Sequence, residues 1–161
     1  MSEKSRRLNL TLLVATDGCA LLRAAGELDV HTEQRFLADA GELVDSGHLY
    51  LVLDLTALTF CDSRGLNCLL ALDWLCRRLD GRLILASVGN RLLQLLDQTK
   101  VRDRFLVVPT VGAALDRVPD EHRPVWPPVD VAPESDGSPG KGVRPPSARR
   151  GPDAVPGRRT R

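Results

Sequence analysis

The chain has 161 residues, 43% hydrophobic and 27% charged, which suits one globular domain plus a remainder and excludes a multidomain enzyme. Its 22 basic and 21 acidic residues leave a formal charge of +1, so no overall field directs it to nucleic acid or to an anionic membrane. The charge is uneven: residues 1–118 carry 14 Lys and Arg against 15 Asp and Glu, whereas Gly137–Arg161 holds seven basic residues and one acid.

Leu8–Ala15 and Cys19–Gly26 are short apolar runs either side of Thr16-Asp17-Gly18, a hairpin signature because Asp-Gly accepts positive φ. Thr32 is placed to cap a helix carrying Phe36, Leu37, Ala40, Leu43 and Val44 at helical spacing, with Gly47 to end it. Tyr50–Thr56 is dense enough in apolar residues for a central strand buried on both faces, with Asp54 inside it. A second helix is expected from Ser63 to Leu79, then a strand at Arg82–Ser87, a short helix at Asn90–Asp97 and a strand at Phe105–Val108. Thr110 then caps a last helix reaching Val118. The order β-β-α-β-α-β-α-β-α predicts an α/β domain, a small mixed β-sheet with helices packed against it.

Ten of the eleven prolines fall between Pro119 and Arg161, and no apolar period survives past Val118. Residues 119–161 are therefore expected to be a disordered Pro/Arg-rich tail, unable to bury enough surface to offset its ordering entropy. Its basic end, with Arg149, Arg150, Arg158, Arg159 and Arg161, has no aromatics for base stacking, so a solvated tail without direct nucleic-acid contact is expected.

No apolar run reaches the ~18 residues of a membrane span, and Met1–Arg7 is polar, so a cytoplasmic protein without membrane insertion is expected. Cys19, Cys61, Cys68 and Cys76 form no C-x-x-C pair and read as buried free thiols. His31, His48 and His122 stand far apart without ligand spacing, so neither a metal nor a cofactor is expected.

The informative segment is Leu58-Thr-Phe-Cys-Asp-Ser-Arg-Gly-Leu66, which carries Asp62 and Ser63 from a strand into a helix start. Two readings stand together here. Either residue can cap the helix by accepting backbone N–H bonds. Equally, a hydroxyl at a helix N-terminus is a favourable place for a phosphate facing free N–H groups, and phosphorylation beside Asp62 would add ~1.5 to 2 negative charges. On a helical wheel Leu66, Leu69, Leu72, Cys76 and Leu79 form a stripe facing the sheet, while Asn67, Ala71, Trp74 and Arg78 fall opposite. Trp74 beside Arg and Asn has the composition of a docking patch; packing beneath a neighbouring loop is the other reading.

Gly26-Glu-Leu-Asp29, Leu53-Asp-Leu-Thr56 and Phe60-Cys-Asp-Ser-Arg-Gly-Leu66 resemble, in order and spacing, the anti-sigma factor antagonists of the STAS domain family. The resemblance covers about residues 8–118. It implies a bacterial partner-switching protein with no catalysis of its own. Unphosphorylated, such a protein binds an anti-sigma factor that is also a serine kinase and releases the sigma factor for transcription, commonly in a stress response. The resemblance makes Ser63 the phosphorylated residue, reset by a separate serine phosphatase, with Asp62 placing the hydroxyl and Glu27 and Asp29 forming an acidic loop near the kinase surface. Glu27 and Asp29 also read simply as turn-forming, soluble loop residues. Arg64 replaces a common Ser or Thr and Cys61 a branched aliphatic residue; Arg64 either pairs with a phosphate on Ser63 or is solvated. The scarcity of Lys, three against 19 Arg, fits a GC-rich bacterial genome.

Two other roles compete. An enzyme with Ser63 as nucleophile and Asp54 or Asp62 in a triad lacks a base, since neither His31 nor His48 belongs to a recognisable motif. An accessory or scaffold subunit of a transport or stress-signalling complex would keep the fold and change the role.

Overall fold

A computed structural model describes residues 7–128. Most of the expected tail, from position 129 onward, lies outside the described residues. The hairpin forms as the sequence predicts: β1 (Leu8–Thr16) turns at Asp17-Gly18, with Gly18 at φ +102°, into antiparallel β2 (Cys19–Leu28). Then follow α1 (Glu33–Asp45), β3 (Tyr50–Asp54), β4 (Leu58–Cys61), α2 (Ser63–Arg78), β5 (Arg82–Ala86), α3 (Asn90–Gln98), β6 (Leu106–Val108) and α4 (Val111–Leu115).

The sheet runs β1-β2-β3-β5-β6, antiparallel at β1 and parallel elsewhere. This is the expected mixed sheet, with one strand the sequence did not disclose. β4 pairs in parallel with the last residues of β2, Gly26 to Leu28, beyond the stretch Cys19–Arg23 that pairs with β3. β2 can serve two partners because Gly26 sits at φ +115° and the ladder shifts register beside it. A side chain there would be strained and would collide with the carbonyl of Arg7. β4 is only four residues long, half-buried at Leu58 and Cys61 and exposed at Thr59 and Phe60, so no alternating pattern marks it and its place depends on this distant partner.

The sheet is covered on both faces. Ala20, Leu22, Leu51, Leu53, Leu83 and Leu85 share one core with Phe36, Ala40 and Val44 of α1 and Leu66, Leu69, Leu72 and Cys76 of α2. Alternation sends Cys19, Leu21, Val52 and Ile84 to the opposite face, where α4 packs against β3, β5 and β6 with Ala114 and Leu115 buried. Each buried leucine of this kind stabilises the fold by about 1.5–3 kcal/mol. The packed chain continues past Val118 to Pro124, with the His122 ring stacked on Tyr50 at a centroid distance of 5.9 Å.

Two expectations are corrected. Leu79 does not join the apolar stripe of α2: the helix ends at Arg78, the chain turns through Asp80 at φ +67°, and Leu79 is left 40% exposed. Asp73 lies on the buried side instead, 1% exposed, one oxygen accepting from Arg77 Nε at 3.0 Å; burial pushes its carboxyl above the usual range against the pull of Arg77, Arg82 and Arg104. The last helix stops at Leu115, three residues short of Val118, although Thr110 does cap it by accepting from the Ala113 N–H.

Asp54 ends β3 as a buried carboxylate. Burial alone would raise its pKa, but the Thr56 hydroxyl and N–H, at 2.6 and 3.1 Å, and Arg23 Nε at 3.2 Å outweigh it and hold the carboxyl below its ordinary value of 3.8. A group whose folded pKa is depressed contributes stability that is fully present above its unfolded value and lost as pH falls through the folded one. Chemical denaturation of wild type and Asp54→Asn across pH should show a wild-type advantage that is constant near neutrality and shrinks as pH drops below about 4.

Candidate functional site: an exposed serine at the start of α2

The first residues of α1 and α2 meet beyond the C-terminal ends of β2 and β4, the edge of a parallel sheet where loops are free to carry function. The loop between β2 and α1 is tied to itself. The Asp29 carboxylate accepts from the His31 N–H at 2.9 Å, the Asp29 N–H donates to Thr32 Oγ1 at 3.1 Å, and the Thr32 hydroxyl donates to the Glu27 carbonyl at 2.8 Å. Thr32 stands at the N-cap position of α1, as predicted, yet its hydroxyl serves this loop and caps no helix N–H. Asp29 is 4% exposed and turned inward, so it shapes the loop and offers no free acid to the surface; Glu27 is half-buried at the end of β2.

At α2 the two readings of Asp62 and Ser63 separate. Asp62 Oδ1 accepts from the N–H groups of both Arg64 and Gly65 at 3.0 Å, so Asp62 is the cap. Ser63 is the first helical residue, exposed, and its hydroxyl makes no hydrogen bond among the described residues. This corrects one premise of the sequence reading: a phosphate on Ser63 would not meet free N–H groups at Arg64 and Gly65, because Asp62 already holds them.

Gly65 explains the glycine in this segment. A Cβ there would collide with the Leu28 carbonyl and come within 2.8 Å of Cys61 Sγ, so only glycine lets α2 start this close to β2. In the sequence Gly65 stands out only as part of the motif.

Arg64 is exposed yet paired. Its Nε and terminal nitrogen meet the two carboxylate oxygens of Glu33 at 3.2 and 2.6 Å, a bidentate pair joining the first turns of α1 and α2, and this pairing raises the pKa of the guanidinium further. Glu33, 31 residues away, carried no sequence signal beyond being an acid in a first helical turn. Glu33, Gln34, Leu37, Arg64, Asn67 and Cys68 line a shallow depression between the two helices.

Asn67 and Trp74 are both exposed, Trp74 by 57%, with the Arg78 guanidinium 5.0 Å from its ring centroid. Trp74 therefore does not pack beneath a loop. At 3.6 residues per turn, Trp74 returns to within about 20° of Ser63 around the helix, so Ser63, Asn67, Trp74 and Arg78 form one exposed stripe.

No base hydrogen-bonds Ser63, Asp54 is committed to Arg23 and Thr56, and Asp62 to the helix cap, so among the described residues no triad is assembled. Burial pushes the four free thiols up, Cys19 and Cys68 to about 11 and Cys61 and Cys76 to about 12, which leaves them un-ionised at neutral pH. Among the described residues no group of His, Cys, Asp and Glu is placed to hold a metal ion, and no helix is long and apolar enough to cross a membrane.

Asp62→Ala should cost about 1 kcal/mol in urea unfolding, the usual worth of an N-cap. Gly65→Ala should cost more, because relief requires α2 to move away from the Leu28 carbonyl. A Gly65→Ala protein as stable as wild type would show that the approach is not tight.

The STAS domain family model matches residues 12–114, more than half of the chain. A search of curated protein sequences gives no match. Among solved structures, an anti-sigma factor antagonist from Mycobacterium paratuberculosis is 26% identical, with TM-score 0.58, over 70% of this chain and 96% of that one. The anti-sigma factor antagonist SpoIIAA in its unphosphorylated form is 22% identical, with TM-score 0.60, over 68% of this chain and 96% of that one. The murine anion transporter Slc26a9 is 15% identical, with TM-score 0.58, the match covering 71% of this chain and 22% of the transporter. With its sheet order, its family match and these neighbours in agreement, the chain belongs to the STAS domain family.

Proposed function

We propose that the chain is a bacterial anti-sigma factor antagonist: unphosphorylated, it binds an anti-sigma factor serine kinase and releases the sigma factor for transcription, and phosphorylation of Ser63 switches it off. The observation that carries this reading is the exposed, unengaged Ser63 hydroxyl on the first turn of α2, beside a capping carboxylate that keeps the turn rigid. Two structural neighbours are described as anti-sigma factor antagonists, and SpoIIAA of Bacillus is known in a phosphorylated form with the same fold. In the switch, the kinase transfers the γ-phosphoryl group of ATP to Ser63 Oγ, the hydroxyl proton leaves to a base of the kinase, and ADP departs. A serine phosphatase then adds water across the P–O bond, restoring the hydroxyl and releasing inorganic phosphate.

The docking surface in this reading is the exposed stripe of α2 with its surroundings. Asp62, Arg64, Asn67 and Trp74 lie on or beside it, Glu27 borders it at the end of β2, and Asp29 acts from beneath by fixing the loop. Trp74 is the expected hot spot, a large exposed aromatic backed by Arg78. The protein itself is not an enzyme in this reading, and it works in the cytoplasm as part of a stress response. The likeness to the anion transporter domain favours a second reading, an accessory or scaffold role in a transport or stress-signalling complex.

Affinity purification from the native cytosol distinguishes them. Ser63→Ala should retain an ATP-binding kinase-fold protein that Ser63→Asp loses. Trp74→Ala should lose it too, at a binding cost of about 2 kcal/mol or more, with stability within about 0.5 kcal/mol of wild type. Identical partners for both Ser63 variants, or transporter subunits and no kinase, would overturn the switch.

A further inference from the structure

Resting on the phosphoserine reading, we propose that Arg64 is the built-in counter-cation for phosphate on Ser63, and that Glu33 surrenders it when the phosphate arrives, unlatching the first turn of α1 from that of α2.

Three features of the site lead there. The helix N-terminus cannot neutralise the phosphate with its Arg64 and Gly65 N–H groups, which Asp62 holds at 3.0 Å, and the Leu66 N–H bonds the Asp62 carbonyl at 2.8 Å. Beside Ser63 stand Asp62, whose carboxylate is held by the cap, and Arg64, whose partner Glu33 reaches over from α1; Arg35 of α1 is paired with Asp39 and Arg91 lines a separate depression with Phe60 and Cys61, so Arg64 is the cation on the serine's own turn. Its Cα is one peptide from that of Ser63, about 3.8 Å away, and its side chain is 54% exposed, so the guanidinium can swing without leaving or entering a buried site. Finally, its present partner is a single carboxylate. A phosphoserine offers ~1.5 to 2 charges and three acceptor oxygens to the same bidentate fork, so it outcompetes a carboxylate for one guanidinium.

The consequence is structural as well as electrostatic. The Arg64–Glu33 pair bridges the first turns of α1 and α2 and borders the depression that Gln34, Leu37, Asn67 and Cys68 line. Moving Arg64 to the phosphate breaks that bridge and leaves the Glu33 carboxylate unpaired on the same surface. A partner fitted to the unphosphorylated face then meets both added charge and an altered groove.

The test needs no kinase: phosphoserine is installed at position 63 during translation and its second ionisation is followed by ³¹P NMR. In the otherwise wild-type chain the midpoint should lie roughly half a pH unit below that of Arg64→Ala, because a nearby cation favours the dianion. Glu33→Gln should lower it further by removing the competitor, and Arg64→Lys should fall between wild type and Arg64→Ala. Equal midpoints in wild type and Arg64→Ala would overturn Arg64 as the counter-cation. A Glu33→Gln midpoint equal to wild type would overturn the hand-over. Lack of phosphate on Ser63 in the cell would count instead against the proposed function, so the two readings fail separately.

Discussion

The capping of α2 by Asp62 is the constraint on which the site depends. Two N–H groups that a helix start otherwise leaves unpaired are satisfied by one carboxylate oxygen, and this fixes where α2 begins. Ser63 consequently becomes the first helical residue, outward-facing and unoccupied, and Arg64 the second, within reach of α1. Gly65 completes the arrangement by letting the turn approach the Leu28 carbonyl, so the serine rests on the end of the sheet. A helix start of this kind presents the hydroxyl outward at a fixed place on the surface, which suits a signal read there.

Around this turn the protein spends its charges on position. Asp29 is turned into its loop, Asp54 is locked by Thr56 and Arg23, Arg64 is held by Glu33, and Asp73 is buried against Arg77. What remains open along α2 is a narrow strip from Ser63 to Arg78 with Trp74 near its far end, about 16 Å from the serine at 1.5 Å per residue. Charge placed at one end and an aromatic anchor at the other give a surface whose affinity can be changed without altering the core.

The strands and helices with many apolar residues were legible because burial dictates their period. Tyr50–Asp54 and Arg82–Ala86 read as dense buried runs, and the hairpin was marked by Asp17-Gly18. β4 was not legible, since its four residues gain meaning only from pairing with the end of β2. Leu79 keeps the apolar spacing of the helix in sequence but lies one residue past the point where the backbone leaves the helix. In the site, the motif marked Asp62 and Ser63 but left open which of them caps the helix. The Arg64–Glu33 pair and the inward turn of Asp29 were invisible for the same reason as β4: each is a tertiary contact or a burial that no local pattern encodes.

The central claim is that Ser63 is the residue through which this surface is controlled. The most direct measurement is incubation of the full-length wild-type and Ser63→Ala proteins with native cytosol and γ-labelled ATP, with peptide mapping of the incorporated label. The account predicts label on the wild-type chain, confined to the peptide that carries Ser63, and none on Ser63→Ala. Equal labelling of the two chains, or wild-type label mapped elsewhere, would contradict it.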